Sequence, residues 1–237
     1  MRVWIFFLGL AAWVLAAALA LSGRLLAAAA VATFAFGADA AGRTWSRRSP
    51  VPMPYSMRWL LELPRGPHSP HRLLQVLRPV PGERVLEVGP GIGVHALPVA
   101  RALQPGGILD VIDIQREMID ELVRRATAVS LANVVPALGD ARKLPYPDRC
   151  FDAAYLIGVL GEIPDPLAAL REIRRVLKPG GRLIVCELLL DPDFVPLTVL
   201  REMAGCAGLL FERSDGPRFA YSAVLRTART RQALGNL

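Results

Sequence analysis

Val85-Leu86-Glu87-Val88-Gly89-Pro90-Gly91-Ile92-Gly93 (residues 85–93) decides the fold. A short run of β-branched and aliphatic residues ends in three glycines at alternate positions, and an apolar segment with helical spacing follows. Glycine lets the backbone take positive φ and approach a ligand closely. The N-terminus of the following helix offers unpaired N–H groups. A tight strand-to-helix turn needs no more than this, so the glycines alone leave two readings open, a turn or a ligand cradle. The spacing is G-x-G-x-G, and Val94 stands where a dinucleotide fingerprint has its last glycine.

Outward from that stretch, strand and helix signals alternate, which implies a mostly parallel sheet. Strands are expected at Arg84–Val88, Ile108–Ile112, Val134–Leu138, Phe151–Ile157 and Arg182–Leu189. Helices are expected at Val94–Leu103, Arg116–Leu131, Pro166–Leu177 and Thr198–Ala207. Lys178-Pro179-Gly180-Gly181 reads as a turn without a functional role. Leu209–Arg213 and Ala220–Arg226 flank the turn Ser214-Asp215-Gly216-Pro217, and this hairpin puts one antiparallel strand into the sheet. The fold class is therefore α/β, a doubly wound Rossmann-like sheet, mostly parallel with one antiparallel C-terminal strand.

Acidic residues fall at the strand ends. Asp113 closes Val111-Ile112-Asp113-Ile114, about twenty residues beyond the glycines, where a carboxylate can accept from both hydroxyls of a ribose. Asp140, in Gly139-Asp140-Ala141 after the third strand, can accept from an adenine amino group. Either aspartate could equally cap a helix or form a turn. His95 reads as a packing residue, and His68 and His71 as solvated or structural. No His/Cys/Asp cluster has metal-ligand spacing. Cys150, Cys186 and Cys206 read as reduced core thiols of a cytosolic compartment.

The ordered set resembles the class I S-adenosyl-L-methionine (SAM)-dependent methyltransferases over residues 71–226, in particular the branch with the quinone-biosynthesis C-methyltransferases. The resemblance implies SAM as cofactor. It places Glu87, Gly89, Pro90, Gly91 and Gly93 beside its methionine part, Asp113 and Ile114 at the ribose, and Asp140 and Ala141 at the adenine. Ile157, within Leu156–Gly158, would lie under the methyl group. The terminal antiparallel strand suits this family and not a dehydrogenase. Many relatives carry a His-His or similar pair where this chain has Gly161-Glu162, so Glu162 becomes the candidate for substrate contact or general base. The motifs of the amino-methylating nucleic-acid enzymes are absent, and no nucleic-acid partner is expected.

The N-terminal region is of another kind. The chain of 237 residues is 53% hydrophobic with a mean hydropathy of +0.36, and the excess lies at its start. Val3–Leu21 carries no charge, and as a helix it spans roughly 29 Å, close to a bilayer core. Leu25–Ala38 is a second, shorter apolar run ending at Asp39. Either a single span or a hairpin through Ser22-Gly23-Arg24 fits, and the hairpin is preferred because the second run is too apolar to leave in water. A cleaved signal peptide, with Ala18-Leu19-Ala20 as its cleavage site, is the competing reading.

The net charge of +7 follows the same division. Five arginines against Asp39 give residues 1–50 a net +4 and leave +3 for the rest. That is juxtamembrane arginine, which marks the cytoplasmic face. Residues 1–42 are thus expected to be a membrane anchor, 43–70 a proline-rich linker or cap, and 71–237 the SAM-binding methyltransferase domain. The expected activity is methyl transfer to a small, lipophilic acceptor at the membrane surface. A soluble small-molecule or protein acceptor, or a SAM-binding protein without turnover, is the alternative.

Overall fold

The computed structural model describes residues 2–63 and 66–229. Pro64 of the linker and residues 230–237 of the expected domain lie outside the described residues. Seven strands form one sheet: β1 (Arg84–Val88), β2 (Ile108–Asp113), β3 (Val134–Leu138), β4 (Phe151–Ile157), β5 (Leu177–Leu188), β6 (Leu210–Asp215) and β7 (Ala220–Arg226). Their order is β3-β2-β1-β4-β5-β7-β6. β1 to β5 are mutually parallel, and β7 runs antiparallel between β5 and β6.

Both faces of the inner strands are buried, as parallel strands require, and the edge strands β3 and β6 are partly exposed. Side chains alternate between faces with period two. Leu86, Ala154, Val185 and Tyr221 join a core under α6 (Pro166–Val176) and α7 (Leu197–Cys206). Val85, Tyr155 and Ile184 join the opposite core under α3 (Pro70–Leu77), α4 (Ala96–Ala102) and α5 (Arg116–Ala128). Helix ends follow local chemistry. Asp165 accepts from the Ala168 amide at 3.0 Å and Pro166 takes the first helical position of α6.

Several boundaries move from those expected. α4 starts at Ala96, not Val94, because the residues that follow the positive-φ Gly93 complete the turn before helical bonding begins. Lys178–Gly181 belongs to β5: Leu177 pairs with Phe151, Arg182 with Ala153, and the residues between are looped out of register. Cys206 is exposed, which corrects the expectation of three core thiols. It ends α7 on the solvent side, whereas Cys186 is buried.

Residues Arg2–Leu21 (α1) and Leu25–Arg48 (α2) pack against each other as a helical hairpin. A Cβ on Gly9 would stand 3.3 Å from the Asp39 amide nitrogen and 3.4 Å from the Ala35 carbonyl, so the helices approach closely there. α2 is long and apolar enough to cross a membrane. Its outer surface keeps Phe34 and Phe36 exposed, and Leu26 is 90% exposed. α2 passes through the expected boundary at residue 42. The stretch 39–48 holds no proline, and Arg43 Nε donates to Asp39 at 3.0 Å one turn away. The helix stops at Ser49, before Pro50. Beyond it, the proline-rich segment forms a 3₁₀ stretch, Tyr55–Glu62, and not one regular helix.

Candidate cofactor and acceptor site

The strand order reverses between β1 and β4, since the chain winds outward through β2 and β3 and then returns. A crevice opens outside the carboxyl ends of strands at such a switch point. A cavity of about 410 Å³ lies there. β1 supplies Glu87 and the turn Gly89-Pro90-Gly91, and β2 supplies Asp113 and Ile114. Asp140 and Ala141 follow β3, Ile157 ends β4, and Glu162 lies in the loop after it. The fold therefore brings all but one of the sequence-derived site residues to one cavity. The exception is Gly93, where a Cβ would stand 3.1 Å from Leu122 of α5, so its closest approach is to a neighbouring helix.

Two glycines are fixed by their surroundings. Gly89 has φ +68° and a Cβ there would lie 2.6 Å from Val159. Gly91 has φ +52° and a Cβ there would lie 2.7 Å from Leu61. Leu61 belongs to the 3₁₀ stretch, so the proline-rich segment lies over the glycine turn. Pro50, Val51, Pro52 and Met53 also line the cavity. The segment is tied down by Gln115 Nε2, which donates to the Met53 carbonyl at 2.9 Å, and by an ion pair of Arg125 with Glu62 at 2.5 Å. Its far end is held at His68, which is buried. His68 Nε2 lies 3.2 Å from the Tyr221 carbonyl oxygen, and His95 Nε2 lies 2.8 Å from the His68 carbonyl oxygen. His68 and His95 thus tie the segment to the domain, His95 also lines the cavity, and His71 is exposed.

The acids differ in state. Glu87 is 3% exposed and accepts from the Tyr155 hydroxyl at 2.7 Å. Burial, with the Asp113 charge adding, pushes its carboxyl up to about 8. Asp113 accepts from the Gln115 amide at 2.9 Å. Burial raises its pKa against the pull of the Gln115, Gly91 and Ile114 amides. Asp140 faces the cavity but is gripped by Arg142, whose Nη2 lies at 2.6 Å and holds the carboxyl below its usual range. The Glu162 carboxyl is pushed well above the ordinary range by burial and by the charges of Asp191 and Asp193.

Asp191, Arg142, Gln115 and residues 50–53 are cavity residues that the motifs do not reveal. Asp191 follows β5, and its Oδ2 would lie 3.0 Å from a Cβ on Gly158. The apolar side chains of the segment around Met57–Leu63 were the one local signal that it packs on something. No group of three or more metal-ligating side chains occurs among the described residues.

Residues 86–185 match the family described as a methyltransferase domain. Over 127 residues the chain is 39% identical to an uncharacterised 37.1 kDa protein of a transposon in Streptomyces fradiae, covering 54% of this chain and 35% of that one. Over 122 residues it is 35% identical to a demethylmenaquinone methyltransferase of Staphylococcus aureus, covering 52% and 48%. The chain thus spans about half or less of the length of these curated relatives. A SAM-dependent methyltransferase of Aquifex aeolicus superposes with a TM-score of 0.67 at 22% identity, over 74% of this chain and 98% of that one.

Proposed function

We propose that the chain is a class I SAM-dependent methyltransferase that transfers the methyl group of SAM to a small lipophilic acceptor at a membrane surface, a reading supported by the match of residues 86–185 to a methyltransferase domain and by the shared fold. The observation that carries this reading is the cavity at the switch point, roofed by the segment that leaves the apolar hairpin directly. In this reading residues 1–42 anchor the chain, 43–70 cap the site and 71–237 form the catalytic domain.

The cofactor fits the residues present. The cavity has acids at the ends of β1, β2 and β3, and its glycine turn lies too close to Leu61 and Val159 for side chains at Gly89 or Gly91. Bound SAM supplies a methyl group already activated on a sulfonium. The chain's own work is alignment and exclusion of water. Asp113 accepts from the ribose hydroxyls, and Ile114 flanks them. Asp140 and Ala141 border the adenine, with Arg142 setting the Asp140 charge. Glu87 lies with Gly89, Pro90 and Gly91 at the methionine end, where a cationic group would draw its carboxyl back to the ionised form. Ile157 supports the methyl from below, and Gly93 holds the turn against α5.

Glu162 lines the cavity in the loop after β4 and is the candidate to contact the acceptor or to exchange a proton with it. The apolar cap, with Val51, Pro52 and Met53, suits a lipophilic acceptor. Arg43, Arg47 and Arg48 follow the apolar run, and the positive-inside rule then puts the domain in the cytoplasm.

Calorimetric titration with SAM and with NADH tests the cofactor. Micromolar binding of SAM alone is expected, and binding of NADH alone would overturn the assignment. The full chain should sediment with membranes and resist carbonate extraction. Recovery in the soluble fraction would overturn the anchor.

A further inference from the structure

The hairpin does more than precede the domain: it grips the loop after β5. Arg43 Nη2 donates to the Leu189 carbonyl at 2.6 Å, and Arg43 Nη1 to the Asp191 carbonyl at 3.0 Å. One turn further along α2, the Ser46 hydroxyl donates to Asp193. Asp191 lines the cavity. The loop that contributes Asp191 to the cavity wall is therefore fixed at a defined height along a helix that can cross a bilayer.

That height follows from helix geometry. The apolar run of α2 ends at Ala38, and Arg43 lies five residues on, about 7.5 Å along the axis. The polar layer on each side of a bilayer core is about 5–8 Å thick. The level of Arg43 is then the headgroup layer. The loop climbs away from the core, from Leu189 and Asp191 at the Arg43 level to Asp193 at the Ser46 level. At the inner level it turns two large apolar side chains outward, Leu189 at 44% and Leu190 at 60% exposure. Arg47 and Arg48 are exposed at the outer level. Apolar side chains toward the core and cations toward the headgroups are complementary to an anionic lipid surface.

We propose that the loop Leu189–Asp191, held by Arg43, lies in the headgroup layer of an anionic bilayer and opens the cavity to it, so that an amphiphilic acceptor enters sideways from the membrane. The portal rests on the membrane reading above and adds to it the route and the surface. Leu189 and Leu190 dip into the acyl boundary, and Asp191 joins that boundary to the cavity wall.

The test uses the full chain reconstituted in vesicles of phosphatidylglycerol and phosphatidylcholine. A photoactivatable phenylalanine analogue replaces Leu190, in a second variant Leu189, and as a control Ile108. Ile108 begins β2, at the N-terminal ends of the parallel strands and so opposite the end where the loop after β5 lies, and is 38% exposed. After irradiation, lipid adducts should form at 190 and 189 with several-fold higher yield than at 108, and SAM binding should be unchanged in each variant. Protein that stays in the membrane fraction but shows no excess adduct at either loop position overturns the portal and leaves the anchor standing. Protein that leaves the membrane fraction overturns both.

Discussion

Replacing Asp113 separates a ribose contact from a structural turn. Its carboxylate is 8% exposed, faces the cavity and already accepts from the Gln115 amide at 2.9 Å. Asp113→Asn keeps an oxygen for that amide and removes the charge, whereas Asp113→Ala removes both. A hydrogen bond to a charged group is worth about 1.5–3 kcal/mol, and an unpaired buried donor costs about 1–3 kcal/mol. The two ligand hydroxyls would lose that partner in either variant. Affinity for S-adenosylhomocysteine should therefore fall on the order of tenfold to a hundredfold, with about 1.4 kcal/mol for each factor of ten. Only the alanine variant should also lose about 1–3 kcal/mol of unliganded stability, because only it orphans the Gln115 amide. Titration calorimetry gives the first quantity and denaturant unfolding the second. A ligand affinity unchanged in the asparagine variant, beside a destabilised alanine variant, would reduce Asp113 to a turn former and refute the ribose assignment.

Other expectations concern the cavity walls. Glu162→Gln should leave SAM affinity nearly unchanged and lower methyl transfer from radiolabelled SAM into a membrane extract; a collapse of SAM binding would make the residue structural. Glu87 has a folded pKa of about 8 against 4.5 unfolded, so the folded state holds the extra proton between those values. Its contribution to stability is present below about 4.5 and is lost as pH rises toward 8, with a ceiling of about 5 kcal/mol. Unfolding midpoints at pH 5 and pH 8 should converge in Glu87→Gln relative to the parent chain, and an unaltered gap would contradict the burial argument. Gly89→Ala should lower the melting temperature and ligand affinity more than Gly91→Ala. The first meets Val159, whose branched side chain is stiff, and the second meets the end of the flexible Leu61. Equal effects would mean that only positive φ matters there.

The sheet was legible because its inner strands are buried on both faces and turn residues separate the apolar runs. β3, β4 and β7 fall where the alternation of apolar runs and turns puts them. The strand-end acids were legible for the same reason, since their spacing is set by the winding. Gly93 shows the limit of that logic: it sits in the motif, yet its neighbour is Leu122. The cap resisted reading because prolines at 50, 52 and 54 erase any period, and its contacts come singly, from Gln115 to Met53 and from Arg125 to Glu62. The grip of Arg43 on the Leu189 carbonyl joins residues 146 positions apart and uses a main-chain oxygen, which leaves no trace in side-chain pattern.

The place of β7 has a consequence for biosynthesis. Tyr221, Ala223 and Leu225 are fully buried, and their strand fills the gap between β5 and β6. Until about residue 226 has left the ribosome, β5 presents a long open edge and β6 has no neighbour. Such an edge invites pairing with other chains. The hairpin emerges before the domain, its last residue, Arg48, about 180 residues ahead of the end of β7. In the membrane reading a translocon could already hold it while the domain waits for its last strand, which keeps nascent copies spaced apart during their most adhesive interval.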